Sequence, residues 1–308
     1  MSALLEIRGL CVSFRSRGGE HPALRGVDLD LGKGESLAVI GESGSGKTTL
    51  LRAALGLLRP QAGTVRLFGR DLAAAGRWER TELLRRCGLM PQDPYGAVPP
   101  TLSVREAVLE PLLLVQGFRS TPGSALKAEA LLREWGLPET GLWDARVSRS
   151  LSGGQRQRVC GARAMALDPE LFLADEPTSM QDASLRGEIV AILERRVSSG
   201  MGLVLVTHDL ILARKAAREG MVLYRGTAVE KGPTALLLEE PLHPYTAALA
   251  RALPRLGRAI SPPPSGRAAT EGLGCPYSER CDRADAACRE APPLREVEPG
   301  RFVACHQV

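Results

Sequence analysis

The stretch Gly41-Glu-Ser-Gly-Ser-Gly-Lys47-Thr48 is a complete G-x-x-x-x-G-K-[ST] loop, whose residue types at this spacing cradle phosphate. Glycines at 41, 44 and 46 let successive backbone N–H groups turn toward one anion, and a helix opening at the loop's end adds its positive pole. Lys47 is expected to reach the β- and γ-phosphates and the Thr48 hydroxyl to ligate Mg2+, with Glu42, Ser43, Ser45 and Thr49 completing the wrap. A second anion-seeking stretch is Ser152-Gly153-Gly154-Gln155, a hydroxyl and exposed amides ahead of a helical run. Asp175 is placed to hold Mg2+ through water, and Glu176 to polarise the water that attacks the γ-phosphate. His208 can hydrogen-bond that phosphate, and the neutral amide of Gln92 can ligate Mg2+ or hold the water without repelling the anion. The chemistry these residues share is hydrolysis of a nucleoside triphosphate.

Each of them needs an element to aim it. Short apolar runs, Ser36–Ile40, Cys87–Met90, Leu171–Ala174 and Leu203–Val206, precede the loop, Gln92, Asp175 and His208 in turn and read as buried strands. Thr49–Leu55 reads as the helix after the loop. Alternation in Leu4–Leu10, Cys11–Phe14 and Val27–Leu31 predicts an antiparallel patch, with Arg15–Pro22 as a polar turn and Gly63–Gly69 as another strand and turn. An amphipathic helix is expected around Trp78–Arg86. Further helices are expected over 101–135, with Val104, Ala107, Val108, Leu112, Leu126, Ala130, Leu131 and Trp135 inward. A chain of 308 residues, 44% hydrophobic and 24% charged, can bury one good core and carry a small appendage. No stretch nears the roughly 18 uninterrupted apolar residues of a membrane span, and the first residues lack a secretory pattern, so a cytosolic protein is expected. The net charge of +5 arises from interleaved acidic and basic residues with no long basic run, so nucleic acid is not an expected partner.

In this order, each at a loop after an apolar strand, these elements resemble the nucleotide-binding subunit of an ABC transporter over residues 4 to about 240. The resemblance implies an α/β, RecA-like P-loop NTPase core with an antiparallel β subdomain over 1–240 and a helical insert at about 93–165. It makes Phe14 the adenine-stacking aromatic, Gly41–Thr49 the Walker A loop, Gln92 the Q-loop residue and Leu151–Gln155 the signature motif. Asp175 becomes the Walker B carboxylate, Glu176 the catalytic base and His208 the switch histidine. Two subunits would face each other, each ATP held between one chain's Walker A loop and the other's Ser-Gly-Gly. The implied partners are a second ABC ATPase, homologous or a copy of the chain itself, two membrane permeases and, indirectly, an external solute-binding protein. The implied place is the cytoplasmic face of a bacterial membrane. Glu110-Pro-Leu112, Tyr224-Arg-Gly226, Val229–Pro233 and His243-Pro-Tyr-Thr246 look like the oligopeptide, dipeptide and nickel importer ATPases, which implies uptake of peptides or a nickel or metal-chelate solute. The alternative is the ATPase of a non-transport complex such as a phosphonate lyase.

Within a small extension, 241–308, a Pro-rich linker at about 254–274 leads to Cys275, Cys281, Cys288 and Cys305, spaced C-x5-C-x6-C-x16-C. Four cysteines in a short, poorly hydrophobic segment predict a crosslink in place of a core, and a reducing cytosol favours a metal. The close pairs usual for structural zinc are missing; the resemblance implies a 4Fe-4S cluster, with zinc and free or redox-paired thiols as alternatives. His306 reads as a surface residue. Three stretches depart from the family: Ser179-Met-Gln-Asp182 where Ser-Ala-Leu-Asp is usual, Gly96-Ala-Val-Pro-Pro100 after Gln92, and Val147-Ser-Arg-Ser150 before the signature. Unusual coupling between ATP sites and unusual partner contacts are the expected consequences.

Overall fold

A computed structural model of the chain describes residues 3–16, 19–117, 119–137, 140–147, 151–252 and 274–308. The alternating residues at the amino end form β1 (Leu5–Ser16) and β2 (Gly19–Leu31), paired antiparallel with Leu5 opposite Leu31 and Phe14 opposite His21. Of the polar turn expected at Arg15–Pro22, the described residues are ladder instead: Arg15 pairs with Glu20 and Ser16 with Gly19. On an exposed ribbon the backbone bonds form whatever the side chains are, so polarity alone does not end a strand. β3 (Ser36–Ile40) is buried at every position and runs through the glycine-rich loop into α1 (Lys47–Ala54). β4 (Ala62–Leu67) and β5 (Arg70–Asp71) complete the first sheet, in the order β2-β1-β4-β5.

After α2 (Arg77–Arg85) come β6 (Cys87–Met90) and the insert helices α3 (Pro94–Ala97), α4 (Val104–Val115), α5 (Pro122–Glu134), α6 (Thr140–Trp143) and α7 (Gly153–Ala164). A capping box of Ser103 and Glu106 starts α4, which buries Val104, Ala107, Val108 and Leu112 as its spacing predicts. α5 differs: its inner stripe is Ser124, Ala128, Leu131 and Leu132, while Leu126 and Ala130 face out. Ala128, Leu131 and Leu132 join the core that α4 and α7 share, and a helix turned to bury Leu126 would lose them. Trp135 lies so close to α7 that a Cβ on Gly161 would sit 2.1 Å from its Cζ3 atom. Gly161→Ala therefore gains about 1 kcal/mol of helix propensity and loses about 3 kcal/mol to overpacking. A net loss of about 2 kcal/mol in a urea titration is the expected result, and a neutral or stabilised variant would show that the tryptophan moves aside freely.

The rest of the main sheet comes from β7 (Leu171–Asp175), then, past α8 (Ala183–Ser198), β8 (Gly202–Thr207), and past α9 (Leu210–Ala216), β9 (Glu219–Tyr224) and β10 (Thr227–Pro233). Its parallel neighbours β3, β8, β7 and β6 have their carboxyl ends on one edge. Four adjacent strands span only about 14 Å, so the residues that follow them emerge within reach of one ligand.

The carboxyl-terminal part begins with α10 (Thr234–Glu239) and α11 (Pro244–Arg251) and ends with β11 (Arg295–Glu298) and β12 (Arg301–Val303). β12 pairs antiparallel with β10, Glu230 opposite Val303, so the full sheet order is β11-β12-β10-β9-β3-β8-β7-β6. Tyr277 shares a core with Ile40 and Leu237, and with Tyr224 and Tyr245 it stacks at centroid distances of 5.3 and 5.4 Å. The extension thus borrows the core of the main sheet, which removes the need for a crosslink in place of one. Residues Ser148–Ser150 of the departing stretch and the linker from 254 to 273 lie outside the described residues. No helix among the described residues is long and apolar enough to cross a membrane.

Candidate nucleotide site

Gly46 has φ 106, and a Cβ there would meet the Ala23 carbonyl oxygen at 2.4 Å, so only glycine fits the last step before α1. It caps that helix without a side chain, leaving the first-turn N–H groups directed at the loop's concavity. Lys47 is buried and donates from Nζ to the carbonyls of Gly41 (2.7 Å) and Glu42 (2.8 Å). Burial lowers its pKa against the pull of Glu176, Asp175 and Glu42, so its charge lacks a full partner. Opposite it, Thr48 Oγ1 donates to Asp175 Oδ2 at 2.6 Å, and burial pushes the Asp175 carboxyl up despite that bond. One group wants an anion and the other a cation. Hydroxyl, carboxylate and the nearby Gln92 amide form an all-oxygen donor set that suits a hard ion such as Mg2+.

Glu176 follows β7 at φ 52, a left-handed conformation that costs a non-glycine residue about 1–3 kcal/mol. The turn brings its carboxylate under His208, whose backbone N–H donates to Oε1 at 3.1 Å and whose Nδ1 lies 2.7 Å from the same oxygen. An ionised carboxylate only accepts, so Nδ1 carries the proton. His208 is thus paired with Glu176 through one ring nitrogen, and its side chain is otherwise exposed. A cavity of about 840 Å3 is lined by the loop together with Phe14, Gln92, Asp175, Glu176 and His208. Phe14 offers a half-exposed ring at its rim.

Other expected residues stand apart. Ser45 is buried behind the loop rather than lining the cavity. Ser152 and Gln155 form a capping box at the start of α7: Ser152 Oγ accepts from Gln155 N (3.2 Å) and Gln155 Oε1 from Ser152 N (2.9 Å). With Gly153 and Gly154 they lie outside the cavity lining. The departing Gln181 links them to it. Its Nε2 donates to Gly154 O (2.7 Å) and Gln157 Oε1 (3.1 Å), while Gln157 Nε2 donates to Glu176 O (3.0 Å). The sequence reading missed Ala23 and Leu249, which also line the cavity, and Tyr245 and Arg280, which hold Glu42 from behind.

The metal expected on the cysteines finds no support in the structure. Among the described residues no group of three or more His, Cys, Asp or Glu side chains is placed to hold a metal ion. Cys288 and Cys305 are buried, burial raises the thiols of Cys275 and Cys281, and all seven cysteines are free. The four thiols of the extension act electrostatically on one another, but nothing in their placement supports the 4Fe-4S cluster or zinc. Cys87 and Cys160, pushed up to about 12 by burial, are inert core thiols. His306 is exposed, as expected.

The family described as "ABC transporter" matches residues 24–179, half of the chain. This chain belongs to the ABC transporter family. A second family, "Oligopeptide/dipeptide transporter, C-terminal region", matches 229–288 of this ABC protein. A Bacillus subtilis protein named "Putative oligopeptide transport ATP-binding protein YkfD" is 36% identical over 98% of this chain and 95% of its own length. A Brucella abortus protein named as a peptide import ATP-binding protein, also "putative", is 36% identical over 97% of this chain and 91% of its own. Among solved structures, the dimeric ATP-binding cassette MJ0796 bound to ADP and Pi superimposes with TM-score 0.69 at 28% identity, covering 75% of this chain and 98% of that one. CbiO1 of Clostridium perfringens shares the fold, with TM-score 0.66 at 23% identity over 78% of this chain and 92% of its own. The chain is an ATP-hydrolysing subunit of the oligopeptide/dipeptide importer group, and the non-transport alternative is not favoured.

Proposed function

We propose that this subunit powers peptide uptake by binding Mg·ATP in the cavity at the strand ends and closing on a second ATPase subunit. One observation carries the reading. The phosphate loop, Gln92, Asp175, Glu176 and His208 surround one cavity, whereas Ser152–Gln155 lie outside it, so a chain holds half of each of two sites. The dimeric structure of MJ0796 supports an arrangement of two such subunits. Phe14 stacks on the adenine, the loop amides and Lys47 hold the phosphates, and Thr48, Asp175 and Gln92 hold Mg2+. Mg2+ when bound neutralises phosphate charge. Glu176, oriented by the His208 amide, takes the proton of the attacking water.

The nucleotide-binding part is then residues 1–240, with an insert at about 93–165 that meets two membrane permeases, and 241–308 is the extension. The second ATPase is a homologue or another copy of this chain. The complex sits on the cytoplasmic face of a bacterial membrane and draws on an external solute-binding protein. Peptides are the solute class, in keeping with the names of the relatives, rather than nickel or a metal chelate. Mild-detergent purification of the tagged subunit from its own cells should bring down two multi-span permeases and a second ATPase. Recovery of soluble enzyme subunits with no membrane protein would overturn the reading. A metal on Cys275, Cys281, Cys288 and Cys305 rests on family likeness alone, and iron, sulfide and zinc analysis of anaerobically purified protein tests it.

A further inference from the structure

The phosphate loop carries a carboxylate of its own. Glu42 is the loop's second residue, lines the cavity and lies close enough to Lys47 to act on its charge. Facing bound triphosphate, an unneutralised Glu42 would repel the ligand. The carboxyl-terminal part of the chain meets this charge from 238 residues away: Arg280 donates from Nη1 to Glu42 Oε2 at 2.9 Å and from Nη2 to Oε1 at 3.1 Å. The two-pronged grip occupies both carboxylate oxygens, which a lysine could not match. The same residue is held by its backbone, where Glu42 N–H donates to Tyr245 Oη at 2.9 Å. That amide is thereby tied to α11, fixing where the loop begins.

The holders are themselves rigid. Tyr245 is 1% exposed and packs on Tyr224 with centroids 4.5 Å apart. The Arg280 guanidinium lies 5.7 Å from the Tyr277 ring and 5.9 Å from the Tyr224 ring. Arg225, at the end of β9, donates to Pro276 O at 3.3 Å and ties the extension down beside this cluster. Three segments distant in sequence thus converge on one loop residue.

We propose that Arg280 and Tyr245 are positioning residues of the nucleotide site, through which the carboxyl-terminal extension neutralises and anchors Glu42 and so sets the affinity for ATP. This rests on the reading of the cavity as the ATP site. The test uses the purified full-length chain, with a fluorescent ATP analogue for affinity and steady-state ATPase kinetics. Arg280→Ala is expected to raise Kd and KM about tenfold and change kcat less than about twofold, because an uncompensated carboxylate then faces the phosphates. In a Glu42→Gln background, the same Arg280→Ala change should alter Kd by less than about twofold. Should the alanine variant not fold, Arg280→Lys, which keeps the charge and loses the fork, should weaken binding about threefold with the same dependence on Glu42.

An equal loss in both backgrounds, or none in either, overturns the proposal, since a merely structural contact would not depend on the Glu42 charge. Lys47→Ala serves as the control for the site. If it binds the analogue normally, the assignment of the cavity falls and the proposal with it. If it loses binding while the two Arg280 variants bind like wild type, the cavity stands and the proposal alone fails.

Discussion

Glu176→Gln is expected to leave ATP binding intact and to lower turnover about a thousandfold, the usual scale for loss of a positioned general base. The structure explains why the two effects separate. The glutamine Oε1 can still accept from the His208 amide, now 3.1 Å away, and from Nδ1–H at 2.7 Å, so the side chain has reason to stay where it is. The strain at this position lies in the backbone, at φ 52, and the substitution does not touch it. The bond from Gln157 Nε2 to Glu176 O is likewise a main-chain contact and survives. What disappears is the capacity to accept a proton from water. Single-turnover phosphate release beside an equilibrium nucleotide titration separates the terms. Hydrolysis near the wild-type rate would remove Glu176 from the mechanism, and loss of binding would make the carboxylate part of the affinity instead.

Much of this site was legible because the phosphate loop, Gln92, Asp175, Glu176 and His208 each follow a short apolar run, and a buried strand has a length and composition that a sequence displays. Ser36–Ile40 before the loop and Leu171–Ala174 before Asp175 emerge as β3 and β7 almost to the residue. The order of those strands was not legible. That β8 lies between β3 and β7 is decided by side chains packing across the whole sheet. The inward face of α5 was misread because Leu126 is apolar, while its actual stripe includes Ser124, a polar residue that bonds with Thr121 at the cap. The packing of the cysteine segment was hidden for a related reason: a Cys-rich segment looks too small to fold when its packing partner, the edge of β10, lies some seventy residues earlier in the chain. Tyr245 stands in the His243–Thr246 stretch, but nothing local shows that it or Arg280 holds Glu42, which is 203 and 238 residues away.

Lys47→Ala should abolish the response of the protein to nucleotide while barely altering the protein itself. In the free subunit the Lys47 ammonium is desolvated, its pKa lowered by burial, and among the described residues its bonds run to the carbonyls of Gly41 and Glu42. Those carbonyls border an open cavity where water can replace the lost donor, so the two contributions largely offset and melting without ligand should move little. Phosphate changes the balance, because an anion gives the buried charge the partner that the free site denies it. Losing charge-assisted bonds of that kind amounts to about 3 kcal/mol, roughly a hundredfold in Kd. At an ATP concentration about a hundred times the wild-type Kd, the wild type gains about 2.7 kcal/mol of stability, while the variant at that concentration gains only about 0.4 kcal/mol. For a chain of this size that is roughly 5 °C of Tm against under about 1 °C. The same scans with Mg2+ withheld read out the other half of the site, since Thr48 and Asp175 would then face the phosphates without the ion that their oxygens suit. A variant that melts with the full wild-type shift would show that the nucleotide is held elsewhere, and Glu176 and His208 would lose their claim to the chemistry together with Lys47.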